Sequence, residues 1–256
     1  MSENLSQAME IVKVCGQDSP PYAYMQRDKS GKPTGELRGA IIDLLSEVSH
    51  HSNFEFDIWL GPWKRCEFDV INYNNKNGFE MALNATSNRR RENLFQKSAL
   101  LFKTTEGLFY SKKQYPKGIT NPSFQTIQDR KFCGVRGNNA TWIKALNLNI
   151  KLDYNSTTLA LAMKQLSLER CSFIAYSIEF FLGEIRTGKL TIENDIAYVA
   201  FPGNRQPEFH IWVSKSSPRR SEILEAIDSE VSRLKGEKYE ALFQTYDIRG
   251  SGLDSN

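Results

Sequence analysis

Residues 85–98 read ATSNRRRENLFQKS, and their pattern gives the first indication of how the chain is organised. An apolar run containing Phe79 and Leu83 precedes them and predicts a strand that ends at Thr86. The next residues are small and polar, and they predict a turn into a helix at Asn88. A strand that turns into a helix leaves backbone N–H groups and an arginine facing one point, which is how proteins hold a carboxylate. The alternative is a solvated, basic helix start with no ligand.

Length and composition are those of an ordinary soluble globular protein. The chain has 256 residues, of which 40% are hydrophobic and 25% are charged. It can form one large domain or two small ones. The net charge of +3 is small, and the basic residues are scattered apart from Arg89–Arg91. Composition therefore excludes a nucleic acid as the predicted partner.

The chain shows no membrane segment and no targeting segment. No run of 18 apolar residues occurs, so no membrane span is predicted. The first ten residues, MSENLSQAME, lack the basic and apolar regions of a signal peptide. Two interpretations remain open: a cytosolic protein, or a chain that begins after a removed leader.

The four cysteines, Cys15, Cys66, Cys133 and Cys171, are far apart. They form no CxxC motif and have no nearby histidine, which argues against a zinc site. The default prediction is buried thiols on strands. Cys133 and Cys171 are the pair to test for a disulfide, because their two strands fit one small sheet. We predict no metal and no cofactor.

The first hundred residues alternate between strand and helix patterns. Predicted strands cover 11–16 and 54–59, and a third predicted strand ends at Thr86. Predicted helices cover 39–49 and 63–70, and a turn falls at 29–33. This β-α-β-α-β order implies a mostly parallel sheet with helices on its faces. The predicted fold class is therefore α/β.

A second set of elements begins at Leu108 and repeats the same logic. Predicted strands cover 107–110, 131–135 and 171–176. One predicted helix follows Asn139, and another covers 159–168. The C-terminal part predicts a strand at 209–214, a long helix opened by Ser216-Ser217-Pro218 and a short helix at 239–246. The polar residues 250–256 are predicted to be a disordered tail.

Several short motifs then occur in a fixed order. They are SPPYAY at 19–24, PWKR at 62–65, TSNR at 86–89 with Phe95 six residues after the arginine, KFCGVRGNN at 131–139 and LSLERCSFIA at 166–175. In order and spacing the chain resembles the family-3 extracellular solute-binding proteins, the amino-acid-type members of the two-lobed periplasmic binding proteins. The resemblance covers nearly the whole length.

That resemblance implies the type II fold, with two Rossmann-like α/β lobes joined by two hinge crossovers. Lobe 1 would comprise residues 1–108 and 207–256, and lobe 2 residues 109–206. The resemblance also implies a monomeric, non-enzymatic periplasmic receptor whose leader has been removed. It would capture a small polar, carboxylate-bearing ligand between the lobes and deliver it to the membrane permease of an ABC-type uptake transporter.

The resemblance places ligand-binding residues in lobe 1. Arg89 would be the bidentate partner of the ligand carboxylate, with further donors from Thr86 and the backbone near Asn84. Arg90 and Arg91 would be solvated. Three aromatic and basic residues complete the predicted set, and a packing role is the alternative for the two aromatic ones. They are Tyr22, which would stack on the ligand or lie in the core, and Trp63 with Arg65.

In lobe 2, Asn138 and Asn139 begin a predicted helix whose free N–H groups would meet a polar ligand group. The alternative is a simple helix cap. Ser177 occupies the position where amino-acid binders of this family carry an acid for the ligand ammonium, and Glu179 is displaced by two residues. This departure favours an anionic ligand, or one whose amine is held elsewhere.

Other functions remain as alternatives. An enzyme on the same scaffold, such as a dehydratase, would need a general acid or base, and His50, His51 and His210 are not obvious catalysts. A sensor module of a larger receptor and a module that binds a protein partner are the remaining possibilities.

Overall fold

The computed structural model describes residues 9–74, 78–138 and 141–246. These residues divide into two compact units. Unit 1 contains 9–26, 33–102 and 208–246, and unit 2 contains 27–32 and 103–207. The main chain passes from one unit to the other at 26–27, 32–33, 102–103 and 207–208. The tail predicted at 250–256 lies outside the described residues.

Unit 1 is built on a six-stranded sheet. Its strands are β1 (Glu10–Gly16), β4 (Phe54–Leu60), β5 (Met81–Thr86), β6 (Phe95–Lys97), β7 (Phe102–Lys103) and β13 (Glu208–Ser214). The order is β4-β1-β5-β13-β6, and β7 also pairs with β13. β1 lies parallel to both β4 and β5, as the β-α-β pattern predicts, whereas β13 is antiparallel to β5.

Helices cover the faces of this sheet. They are α1 (Ala40–His51), α2 (Trp63–Ile71), α3 (Arg89–Leu94), α8 (Arg220–Arg233) and α9 (Glu237–Gln244). α1 buries the apolar positions that the helical spacing predicted, among them Ile41 and Leu44. A separate hairpin of β2 (Tyr24–Arg27) and β3 (Pro33–Arg38) surrounds the predicted turn at 29–33.

Unit 2 is built on a five-stranded sheet. Its strands are β8 (Glu106–Ser111), β9 (Lys131–Val135), β10 (Lys151–Ser156), β11 (Phe173–Ser177) and β12 (Ile196–Ala200), in the order β10-β9-β11-β8-β12. Its helices are α4 (Phe124–Ile127), α5 (Thr141–Lys144), α6 (Leu159–Ser167) and α7 (Ile178–Arg186). Apolar clusters lie on both faces, one around Phe109 and one around Phe132. Both units are thus α/β layers, which confirms the predicted fold class.

Each unit contains one disulfide, and all four cysteines are paired. Cys15 in β1 is bonded to Cys66 in α2, and Cys133 in β9 is bonded to Cys171 just before β11. The default prediction of buried thiols is therefore wrong, while the pair singled out for a disulfide does form one. The packing of α2 against β1 brings Cys66 next to Cys15, which the sequence spacing alone does not show.

Within the described ranges, no helix combines the length and the apolar composition needed to cross a bilayer.

Candidate functional site

The turn from β5 into α3 forms the first part of the site. β5 ends at Thr86, and α3 begins at Arg89 behind the N-cap residue Asn88. The Asn88 side chain accepts a hydrogen bond from the Arg91 backbone N–H at 2.9 Å. This confirms the strand-to-helix turn that the sequence predicted. The cap fixes the rotation of α3, and so determines which of the three arginines faces inward.

Arg91 is the arginine that faces inward. Its side chain donates from Nη1 to the Thr86 carbonyl at 2.6 Å and to Thr86 Oγ1 at 3.3 Å. Its guanidinium carbon lies 4.8 Å from the centre of the Trp63 ring. Arg91 is only 8% exposed, so the prediction that it is solvated is wrong. The cause is that helical side chains lean toward the N-terminus, and Arg91 therefore leans back over Thr86.

The charge of Arg91 is balanced by one buried acid. Glu67 Oε1 lies 3.6 Å from Arg91 Nε, and Glu67 Oε2 lies 3.1 Å from Arg90 Nη1. Burial lowers the pKa of Arg91, and the neighbouring Glu67 opposes that shift. Arginine stays protonated at neutral pH in either case. The site therefore keeps a positive, partly shielded planar fork.

Asn84 occupies a β-bulge in β5, two residues before Thr86. Between the pairs His210–Ala85 and Trp212–Ala82 of β13 and β5, two residues of β5 oppose the single residue Ile211. Asn84 is one of these two, and its φ of 53° lies in the left-handed region. Bulges of this kind redirect a side chain and are frequent next to functional sites.

The Asn84 amide is buried without a partner. Both Oδ1 and Nδ2 are shielded from solvent and make no hydrogen bond, and Arg91 Nε also lacks one. An unpaired buried polar group costs about 1–3 kcal/mol, and such groups are rare in native proteins. The two unpaired atoms of the Asn84 amide therefore mark this end of β5 as a candidate functional position.

Other predicted residues of unit 1 lie elsewhere. Arg89 is exposed and lines a surface depression with Arg90, Asn93 and Leu94. Arg65 pairs with Asp69 at 2.6 Å on the outer face of α2. Tyr22 is 7% exposed and its ring stacks on Phe102, with ring centres 3.6 Å apart. The Tyr22 ring therefore belongs to the packed interior of unit 1.

In unit 2, Ser177 ends β11 and lies directly opposite Glu106 in β8. Its hydroxyl donates to Glu179 Oε2 at 3.3 Å. Asn138 lies in the turn after β9, where its N–H donates to the Val135 carbonyl at 3.1 Å. Asn139 lies outside the described residues.

Sequence reasoning assigned no side-chain role to Glu67, Glu106 or Arg205. Arg205 donates to the buried carboxylate of Glu106 at 2.8 Å, although 99 positions separate them. Glu67 lies 23 positions from Arg90. No local motif signals such pairs, because only the packing of the sheets brings them together.

Among known proteins, the chain matches solved structures only. No protein-family model matches the chain, and the search of curated proteins found no match. Solved structures match over nearly the full length. The fold is that of the type II periplasmic binding proteins.

Three of these structures illustrate the match. An amino acid ABC transporter substrate-binding protein from Streptococcus pneumoniae, bound to L-arginine, is 17% identical, covers 95% of this chain and 96% of its own, and has a TM-score of 0.70. A structure from work on glutathione import via GshT and the cystine ABC importer TcyBC of Streptococcus mutans is 17% identical, with coverages of 96% and 98% and a TM-score of 0.71. A histidine kinase sensor domain with similarity to periplasmic binding proteins is 16% identical, with coverages of 93% and 96% and a TM-score of 0.70. At these identities the comparison shows the fold alone.

Proposed function

We propose that this protein is a non-enzymatic solute-binding receptor that captures a small, carboxylate-bearing solute. The binding group is the donor set at the end of β5, formed by Asn84, Thr86 and Arg91. Arg91 takes the role that was predicted for Arg89, because Arg91 is the arginine that lies beside Thr86.

The observation that carries the proposal is the unpaired Asn84 amide. The bulge holds Asn84 in a left-handed conformation and buries both polar atoms without partners. A protein that gained nothing from this arrangement would lose stability by keeping it. A bound carboxylate accepts hydrogen bonds from amide, hydroxyl and guanidinium donors, and so supplies what Asn84 lacks.

The surroundings of Arg91 suit this chemistry. The Trp63 ring lies beneath the guanidinium and limits its movement. A preorganised fork loses little entropy when it binds two carboxylate oxygens. Because Arg91 is mostly buried, its interaction with an anion is screened less than that of an exposed arginine.

The binding role is favoured over an enzyme. The structures that resemble this chain include binding proteins of amino-acid importers and a sensor domain. His210 is buried, and its Nδ1 contacts the Ser98 carbonyl at 3.0 Å, so it serves the packing of β13. His50 and His51 lie at the exposed end of α1.

The two disulfides support a location outside the reducing cytosol, since disulfides persist in oxidising compartments. Together with the fold, this favours the periplasm, a membrane permease as partner and a monomeric receptor. Alkylation of the protein isolated from its native cell tests the compartment. Four thiols that react without reduction would contradict it.

A thermal-shift screen tests the proposed function. The panel should contain amino acids, monocarboxylates, dicarboxylates, amines and short peptides. A true ligand raises the melting temperature in proportion to the logarithm of its excess over the dissociation constant. We expect stabilisation by carboxylates and none by amines that lack a carboxylate. A panel in which no carboxylate stabilises the protein would contradict the proposal.

A ligand-sensing domain is the second candidate, favoured by the similarity to a histidine kinase sensor domain. The membrane topology of the complete gene product discriminates between the two roles. A membrane span that leads into a signalling region would favour sensing over transport.

A further inference from the structure

Helix α2 carries two of the side chains that surround Arg91. The centre of the Trp63 ring lies 4.8 Å from the Arg91 guanidinium carbon, and Glu67 Oε1 lies 3.6 Å from Arg91 Nε. Trp63 and Glu67 are four residues apart, so they project from the same face of the helix. The position and rotation of α2 therefore decide where the Arg91 fork can lie.

The apolar face of α2 that packs on the sheet is narrow. Three of the nine residues of α2 are buried, namely Cys66, Glu67 and Val70, and one of the three is an acid. Trp63 and Ile71 add partly buried contacts, and the N-cap residue makes no side-chain hydrogen bond. A helix of this length is marginal by itself and depends on packing for its stability. α2 therefore depends on a further link to the sheet.

The unit 1 disulfide, Cys15–Cys66, is that link. Cys66 directly precedes Glu67, so the bond holds α2 at the residue that balances the charge of Arg91. Cys15 lies in β1, in register with Ala82 of β5. Both sulfur-bearing residues are fully buried. The bond thus joins α2 to the strand that neighbours β5, the strand at whose end the proposed donor set lies.

The unit 2 disulfide makes a different kind of connection. It joins Cys133 in β9 to Cys171 just before β11. These two strands are already joined by backbone pairing, in which Phe173 lies opposite Phe132. The unit 2 disulfide therefore reinforces a contact within a sheet, whereas the unit 1 disulfide attaches a helix to a sheet. The two bonds share one chemistry, and only one of them adjoins the proposed site.

We propose that the unit 1 disulfide positions the carboxylate site. The bond holds α2, and α2 holds the Arg91 fork through Trp63 and Glu67. This inference rests on the proposed solute-binding function and names what preorganises its site. A preorganised guanidinium loses less entropy on binding than a mobile one, so the bond contributes to affinity as well as to stability.

Calorimetric titration of alanine variants tests the proposal. The probes are propionate, succinate and L-alanine, together with any other carboxylate that stabilises the wild type in the thermal-shift screen. Cys15→Ala/Cys66→Ala should bind the tightest of these probes roughly tenfold more weakly than the wild type, because a looser α2 leaves Arg91 less preorganised. Cys133→Ala/Cys171→Ala is the matched control, and its affinity should stay within roughly threefold of the wild type. Melting curves confirm that both variants are folded at the temperature of the titration.

A double-mutant cycle separates positioning from a general loosening of the fold. Arg91→Gln should weaken binding by roughly tenfold to a hundredfold in the wild type, but by only roughly threefold in Cys15→Ala/Cys66→Ala. The reason is that a guanidinium already out of place has lost most of its contribution to binding. A disulfide that stabilises the fold without positioning Arg91 would leave the two effects additive.

Hydrogen exchange of the unliganded protein gives a readout that does not depend on binding. The backbone amides of α2 should exchange faster in Cys15→Ala/Cys66→Ala than in the wild type, while those of α7, a helix of equal length in unit 2, should keep their rates. Equal rates for α2 in the two proteins would overturn the proposal.

Reduced protein replaces the alanine pair if that variant does not fold. Wild type reduced with dithiothreitol keeps every side chain, and it should bind the probe more weakly and regain its affinity on reoxidation. Reduced Cys133→Ala/Cys171→Ala should behave as the reduced wild type does. If neither the alanine pair nor the reduced wild type folds, the bond is a requirement for folding, and the positioning role is overturned.

The outcomes separate this inference from the proposed function. Unchanged affinity in Cys15→Ala/Cys66→Ala, an equal loss in Cys133→Ala/Cys171→Ala, or additive effects in the cycle would overturn the positioning role. In each of these cases, Arg91-dependent binding by the wild type leaves the receptor function standing. If no carboxylate of the screen binds the wild type, both proposals fail.

Discussion

Arg91 and Asn84 lie seven residues apart in the chain, and their side chains differ in the partners of their polar atoms. Arg91 has a carbonyl, a hydroxyl and an aromatic ring around its guanidinium. Asn84 has a buried amide with no partner at all among the described residues. The first residue is held in place, and the second is left to interact with something else. This combination favours a binding site over a structural network, in which every member would be paired.

A substitution at Asn84 separates binding from folding. Asn84→Gly keeps a residue that tolerates the left-handed φ of 53° and removes the unpaired amide. We expect the free energy of unfolding of the unliganded protein to change by less than about 1 kcal/mol, because relief of the buried amide offsets the entropy cost of glycine. Carboxylate affinity should fall roughly tenfold. Urea unfolding and calorimetry measure the two effects. A loss of stability without a loss of affinity would make Asn84 a structural residue.

Glu106 gives the stability of the unliganded protein a specific pH dependence. Its pKa is about 7 in the folded state and near 4.5 in the unfolded state, so between these values the folded state holds a proton that the unfolded state has released. Stability should therefore fall as the pH rises from about 4.5 through about 7, by roughly 1–3 kcal/mol. Urea unfolding over this range should show the decline.

The matched variants for this prediction are Glu106→Gln and Glu55→Gln. Glu106→Gln should flatten the decline, because the amide cannot ionise. Glu55 is an exposed carboxylate of β4, and its substitution should leave the decline in place. A rise of wild-type stability over the same pH range would contradict the account.

At the scale of elements, the strand-to-helix turn at β5 and α3 was predictable, but the direction of its arginines was not. Successive helical side chains are about 100° apart, so three arginines in a row point in three directions. The cap at Asn88 and the contacts of the Arg91 side chain decide which of them turns toward Thr86. The motif named Arg89, which lies within one turn of helix of Arg91, the arginine of the proposed site.

Elements without a clear apolar period were missed. β10 has the sequence KLDYNS, and the sequence analysis predicted no strand there. It is an edge strand with β9 as its single partner, and its side chains are half-buried or exposed. Edge strands of this kind carry little of the alternation that identifies a strand. The contact between Arg205 and Glu106 was likewise not predictable from the sequence, because the two residues are far apart in the chain.

The N-cap of α3 should affect both stability and binding. Asn88→Ala removes the side chain that accepts from the Arg91 N–H. We expect a loss of about 0.5–2 kcal/mol in the free energy of unfolding and weaker carboxylate binding, because the cap orients Arg91. Thr158→Ala is the control: Thr158 caps α6 in the same manner, through the Leu161 N–H at 3.2 Å. It should lower stability by a similar amount and leave binding by unit 1 unchanged. Equal effects of both variants on affinity would contradict the assignment.

At the scale of the whole molecule, each unit has its own sheet, apolar core and disulfide. Composition and periodicity predicted the α/β class because the spacing of apolar residues distinguishes helices from strands. The alternation of the two then indicates a sheet layer covered by helices. They left the cysteine pairing open, since four cysteines allow three connectivities and spacing does not choose among them. The pairing follows from which strand and helix pack together.

Removal of either disulfide should destabilise the unit that contains it. The Cys15–Cys66 and Cys133–Cys171 bonds have sequence separations of 51 and 38. Loop-closure entropy for separations of this size predicts a loss of about 4 kcal/mol for each pair replaced by serine. Differential scanning calorimetry of the two double variants measures this. A variant that melts at the temperature of the oxidised wild type would show that its disulfide contributes nothing.

Calorimetric titration with the best-stabilising carboxylate of the screen tests the central claim most directly. The proteins to titrate are wild type, Arg91→Gln and Arg89→Gln. Arg89 is the matched arginine, because it lies two residues away on the same helix and is exposed. The structure predicts binding to the wild type, a loss of affinity of roughly tenfold to a hundredfold in Arg91→Gln, and a change within roughly threefold in Arg89→Gln. Unchanged affinity in Arg91→Gln, with or without a loss in Arg89→Gln, would contradict a carboxylate site built on Asn84, Thr86 and Arg91.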